Sequence, residues 1–191
     1  MSISPASRDE VVGLIDGSVA NVNLRRHMLA TEAVMRGLAT RLGEDTDLWG
    51  LTGLAHDLDA EETGGDETRH GARAAERLAE LGLPADLCHA VMAHNPATGA
   101  VVERPIDVAL IAADQTTGLI TAATLVRPDR SLPQVKVSSV RKRMREGAFA
   151  RGVHRDSILR CDELGLGLDE FLTIALTAMQ GVATELGLAG E

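Results

Sequence analysis

Apolar positions along this chain recur every three to four residues, the spacing of one helix face rather than of a strand. Asp9 begins a short helix over 9–15, capped by Ser7 or Asp9, and residues 1–7 before it are expected to be frayed. Asn21-Val22-Asn23 offers a cap to a long helix over 24–42, closed by Gly43. Asp45 or Thr46 starts another, predicted to run to about Asp59 because Leu51, Leu54 and Leu58 share one face. Thr63-Gly64-Gly65-Asp66 has turn chemistry, and helices over 67–81 and from Pro84 to the Asn95-Pro96 step follow. Residues 105–126 form a long apolar helix stopped by Pro128; its uncharged run over 108–113 marks it as buried. Helices over 154–164 and 168–186 close the chain, the second with Leu168, Phe171, Leu172, Ala175, Met179 and Val182 on one face. Strand signals are weak, although residues 134–137 could be extended. With no repeat and no linker, the expectation is one all-α domain over residues 1–191.

Composition sharpens that picture. Hydrophobic residues make up 45% of the chain, enough for a sizeable core. Aromatic residues are 2%, limited to Trp49, Phe149 and Phe171 with no tyrosine, so Ala and Leu fill the interior and favour close-packed helices. A net charge of −9 argues against nucleic-acid polymers and anionic membranes as partners. Cys88 and Cys161 are too few for a disulfide framework and fit a reducing compartment. No basic stretch followed by an apolar run opens the chain, and no apolar segment is expected to reach membrane-spanning length. A cytoplasmic protein is expected, and a homo-oligomer is compatible with this composition. One stretch departs from the acidic balance: Lys136, Arg141, Lys142, Arg143, Arg145 and Arg151 fall within residues 136–151.

The chemistry centres on Gly53-Leu54-Ala55-His56-Asp57-Leu58-Asp59-Ala60-Glu61. A His-Asp pair alone is more often a surface polar step or a hydrogen-bonded couple than a site. Its company changes the odds: His27-Met28-Leu29-Ala30-Thr31-Glu32, Arg69-His70-Gly71-Ala72, Ala93-His94-Asn95 and Ala112-Ala113-Asp114. Asp114 interrupts an apolar run, and an unpaired buried carboxylate is expensive, so a metal or cationic partner is expected. The order His, His-Asp, His, His, Asp resembles the HD superfamily of metal-dependent phosphohydrolases over roughly residues 20–120. The strings His56-Asp57-Leu58-Asp59-Ala60-Glu61-Glu62-Thr63 and Leu125-Val126-Arg127-Pro128-Asp129 look like one bacterial branch of predicted HD hydrolases.

The resemblance implies an HD-domain helical bundle with C-terminal helices, about 130–191, packed on it. It implies that His27, His56, Asp57 and Asp114 hold one divalent ion, that His70 and His94 hold a second, and that Asp57 bridges. Imidazole and carboxylate suit Fe or Mn, and also Co, Ni or Zn. Two ions about 3.5–4 Å apart would share and activate a water. Many relatives place a lysine three positions after the His-Asp aspartate; Ala60 stands there, which disfavours a cyclic-dinucleotide phosphodiesterase. Asp59 and Glu61 are candidates to orient water or protonate a leaving oxygen, or are solvated loop carboxylates. Thr116 and Thr117 read as donors behind the ligands or as helix-facing hydroxyls. Lys136, Arg141 and Arg143 are candidates to gather substrate phosphate over the ions, or form a solvated face. His89 is expected to be exposed, His154 has no counterpart in the resemblance, and both cysteines read as structural.

The expected function is metal-dependent hydrolysis of a small phosphate ester, a nucleotide or related phosphomonoester. The alternative is a di-iron HD-type oxygenase acting on a small phosphonate or polyol-like substrate; phosphonate-cleaving relatives use a tyrosine near the first ligand, and this chain has none. A non-catalytic ligand-binding module is a third reading, which missing ligands would favour, and none is missing.

Overall fold

Local capping fixes where the first helices begin. In the computed structural model, which describes residues 7–190, Ser7 accepts from the Glu10 amide while Glu10 accepts from the Ser7 amide. This reciprocal box starts α1 (Arg8–Ser18). Ser7 is thus a structured cap rather than part of a frayed end; the fraying expected of residues 1–6 concerns positions outside the described residues. Asn21 caps α2 (Val22–Leu42), and Asp45 caps α3 (Thr46–Ala55).

The predicted third helix stops early. Past Ala55 the chain turns through His56–Asp59 into α4 (Ala60–Thr63), although Leu58 keeps the apolar period and is buried. The helix expected over 67–81 also starts late: residues 67–71 are turns, and α5 is Ala72–Glu80. α6 (Ala85–Ala93) and α7 (Pro105–Leu125) lie close to their predicted bounds. Residues 134–137 pair with no strand; a 3-10 turn at Leu132–Gln134 leads through extended Val135 and Lys136 into α8 (Val137–Met144). The helix expected over 154–164 divides into α9 (Arg155–Leu159) and a 3-10 turn, and α10 is Leu168–Gly181. Among the described residues the sole β-type pairing is an isolated antiparallel bridge between Ser131 and Ala189. The fold is all-α.

Two apolar clusters share α2 and α3. One gathers Val11 and Ile15 of α1, Met28, Leu54, and Leu78 and Leu87 of α5 and α6. The other gathers Val34, Met35 and Leu38 of α2, Trp49 of α3, Leu110 and Ile120 of α7, and Phe171, Leu172 and Met179 of α10. The C-terminal helices therefore pack on α2 and α7, as expected. Phe171 is fully buried, and replacing it by Ala would cost about 3–5 kcal/mol. One expectation needs correcting. α7 has 21 residues with mean hydropathy 1.3 over its most apolar stretch, so it is long and apolar enough to cross a membrane. Here 67% of that stretch is buried among the other helices, so its hydrophobicity goes into the core.

Candidate metal centre

The centre forms where α2, α3, α6 and α7 approach one another, and the approach of α3 to α2 depends on a glycine. A Cβ at Gly53 would lie 2.7 Å from the Thr31 carbonyl oxygen, so only glycine lets the backbones come this close. That contact sets the turn after Ala55 against the turn of α2 carrying His27. His27 lies on α2, Asp114 on α7, His56 and Asp57 just past α3, His70 in the turns before α5, and His94 at the end of α6.

All six side chains converge. His27 Nε2 stands 3.0 Å from Asp114 Oδ1 and 3.7 Å from Asp57 Oδ2. His56 Nε2 and His70 Nε2 are each 3.4 Å from Asp57 Oδ1, and His94 Nε2 is 3.7 Å from it. Asp57 thus turns one oxygen toward His27 and the other toward three imidazoles. Donor atoms bound about 2.0–2.2 Å from one ion stand roughly 3–3.5 Å apart, so the spacing suits coordination. Two overlapping groups have their donor atoms all within 4.8 Å of one another, His27-His56-Asp57 and Asp57-His70-His94, with Asp57 common to both.

The opposite nitrogen of each ring explains the orientation. His56 Nδ1 donates to the Gly53 carbonyl at 2.8 Å and His94 Nδ1 to the Val91 carbonyl at 2.5 Å. His70 Nδ1 donates to Asp59 at 2.8 Å. Thr117 gives its hydroxyl proton to the Asp114 carbonyl at 2.7 Å and accepts from His27 Nδ1 at 3.1 Å. With every Nδ1 engaged by an oxygen acceptor, Nε2 is the ring nitrogen each imidazole turns toward the centre, free to ligate once it is deprotonated. His56 Nε2 is fully buried and has no hydrogen-bond partner. A buried acceptor is rarely left so, and a cation is the partner this donor set fits.

Without an ion the cluster balances its charges with protons. Burial alone would raise Asp57, but His56, His70 and His94 hold its carboxyl well below the ordinary range. Hydrogen bonds to Asp57 and then to Asp59 push His70 up to about 10. Burial pushes His56 down. His27 is raised because Asp114 outweighs its burial, and Asp114 is lowered because His27 and His56 outweigh its own.

Residues behind the ligands hold the loops. Asp59 is fully buried: Oδ1 accepts from His70, and Oδ2 accepts from the Gly71 and Ala74 amides at 2.8 Å each. It therefore caps α5 from a distant turn and has no exposed oxygen with which to handle water, contrary to the role considered from the sequence. Glu61 also faces elsewhere, accepting from the Ala20 and Asn21 amides at 2.9 and 2.6 Å. Asn95, which sequence reasoning assigned no role, donates to the Glu67 and His70 carbonyls at 2.7 and 2.9 Å and pins the His70 loop to the end of α6. Thr116 bonds its own helix at Ala112, so of the two threonines Thr117 alone holds one of the converging imidazoles, that of His27. His89 is part-buried rather than exposed, 3.0 Å from the Val101 carbonyl and 3.3 Å from Asp107.

A cavity of about 830 Å³ opens onto the centre through Asp57, His70, His94 and Asp114, and residues 153–157 contribute to its lining. Lys136, Arg141 and Arg143 are not part of its lining. Arg141 pairs with Asp169 at 2.8 Å, and Arg143 pairs with Glu146 and lies over the Phe149 ring. The basic residues reaching the cavity are His154 and Arg155. Arg155 spends Nη1 and Nη2 on carbonyls of Glu146, Phe149, Ala150 and Val153, which shapes the loop. No spacing rule links positions 154 and 155 to the ligands, so their place was not readable beforehand.

A family model described as HD domain matches residues 24–119, about half of the 191-residue chain. No curated protein and no solved structure matches the chain.

Proposed function

The chain belongs to the HD-domain family, and from that premise we propose that it hydrolyses a small phosphate ester, a nucleotide or related phosphomonoester, with two divalent metal ions. One observation carries the reading: four Nε2 atoms converge on the carboxylates of Asp57 and Asp114 while every Nδ1 is already engaged.

His27, His56, Asp57 and Asp114 would hold one ion, and Asp57, His70 and His94 the other; Fe or Mn fits this set, as do Co, Ni and Zn. Bound there, the ions supply Lewis acidity and lower the pKa of water at the phosphoryl group. The protein's own part is positional. Thr117, Gly53, Asp59 and Val91 fix the imidazole tautomers, and Asn95 fixes the loop that carries His70. The cavity of about 830 Å³ is the right size for a nucleotide-sized molecule. His154 stands on its wall, held there by its backbone N–H donating to Gln115 at 2.8 Å. We assign its imidazole the contact with the leaving oxygen or with a phosphate oxygen, in place of Lys136, Arg141 and Arg143.

The test is anaerobic purification with metal analysis, then a screen for phosphate release from nucleotides and sugar phosphates with Mn, Co or Ni. Phosphate release that is lost in Asp57→Ala is expected. Iron-dependent oxygen consumption without phosphate release would replace this reading with the oxygenase.

A further inference from the structure

A second cavity, of about 550 Å³, is lined by His27 and opens between α2, the later turns of α7 and the end of the chain. Among the described residues its charged lining consists of Arg26 and Arg130, with no carboxylate. In a chain of net charge −9 that is notable, and Asp16 and Asp129 are already taken by other arginines. Arg25 pairs with Asp16 at 2.8 Å and Arg127 with Asp129 at 2.7 Å. Among the described residues neither Arg26 nor Arg130 has an acidic partner.

The cavity is held open by specific contacts. The Arg127–Asp129 pair, with Asp129 also accepting from the Ser131 amide at 3.2 Å, closes a tight turn. This is the Leu125-Val126-Arg127-Pro128-Asp129 stretch, whose role the metal centre does not explain. Arg130 follows it with φ 44, a left-handed conformation that side-chain-bearing residues rarely adopt. The turn is tied to the chain end, where the Leu132 amide donates to Leu188 at 2.8 Å. Arg26 lies over Gly187, where a Cβ would stand 2.5 Å from Nη2.

We propose that Arg26 and Arg130 form an oxyanion subsite for a second phosphate or carboxylate group of the substrate whose first phosphate sits at the metal centre. The second half of this rests on the phosphate reading of that centre. α7 joins the two places: Asp114 and Gln115 line the metal-side cavity, Gly118, Thr121 and Ala122 line this one, and His27, which lines this one, reaches Asp114 of the other at 3.0 Å. Two guanidinium forks on a concave wall that carries no acid among the described residues match the oxygens of a phosphate. The substrate class is therefore one bearing two anionic groups.

The subsite is tested on chelated protein by following the arginine Nε–H signals during titration with inorganic phosphate, assigned through Arg26→Lys and Arg130→Lys. Both signals should move with one dissociation constant, and either substitution should weaken binding at least tenfold. If neither moves, or only one does, the subsite is refuted. The second half is tested on metal-loaded protein, kept anaerobic, with α,ω-alkane bisphosphonates, which have no ester bond to hydrolyse. One chain length should bind at least tenfold more tightly than methylphosphonate, and Arg130→Lys should abolish the gain. If no length gains, the two anions do not belong to one molecule. Turnover is measured in neither part, so failure of the hydrolase reading leaves both results interpretable.

Discussion

Replacing Asp59 by Asn separates its two jobs. Oδ2 satisfies two backbone amides, those of Gly71 and Ala74, while Oδ1 takes the His70 Nδ1 proton. Asn offers one acceptor and one donor face. Turning its NH2 toward the two amides would leave two buried donors unpaired, at about 1–3 kcal/mol each. Turning it toward His70 requires only that His70 move its proton from Nδ1 to Nε2. The second arrangement wins, and the nitrogen 3.4 Å from Asp57 is then protonated and cannot ligate. Folding stability should fall by about 1 kcal/mol, the difference between a charge-assisted and a neutral hydrogen bond. Affinity for the second ion should fall about 10–100-fold, while the first ion binds nearly as before. Anaerobic calorimetric titration reads both affinities, and long-range proton–nitrogen correlation reads the tautomer of His70. Two ions bound as tightly as in the parent, with His70 still protonated on Nδ1, would refute the reasoning.

Removing the shared carboxylate with Asp57→Ala should abolish both metal content and activity, whereas His70→Ala should lose mainly the second ion; metal analysis of the two purified variants checks this. His70 also predicts a pH dependence, because its folded value, about 10, lies above the ordinary 6.5. Its contribution to metal-free stability is therefore full below pH 6.5 and is lost as pH rises through about 10. Melting temperatures of chelated protein across that window should fall more steeply in the parent than in His70→Ala. Metal affinity should rise over the same window, since binding must displace that proton. Lys136→Ala, Arg141→Ala and Arg143→Ala should each leave kcat/KM within about twofold, because none reaches the cavity, while His154→Ala should lower it about tenfold or more; steady-state kinetics decide.

Local signals carried the helices and the ligand order but not the turns that aim the ligands. Asn21, Asp45 and Gly43 act within one turn of their own helices, so caps and stops were legible. The apolar period of Leu51, Leu54 and Leu58 continues beyond the end of α3, which hid the turn placing His56 and Asp57. Gly71 hid another: its φ of 81, with the Val91 carbonyl 2.9 Å from where a Cβ would be, breaks the helix predicted over 67–81 just after His70. Asp59 looked like a solvated acid because its partners lie 11–15 residues on, across a loop whose path the sequence does not encode locally. The basic segment misled for a similar reason. Asp169 and Glu146, its neutralising partners, are distant or on the far side of a turn, and only packing shows that Arg141 and Arg143 are already paired.

The central claim is that six side chains hold two ions sharing Asp57, and anomalous diffraction from crystals grown anaerobically with Mn(II) tests it most directly. Two anomalous peaks about 3.5–4 Å apart are expected on either side of the Asp57 carboxylate, one against His27, His56 and Asp114 and the other against His70 and His94. A single peak, or manganese bound outside this cluster, would contradict the account.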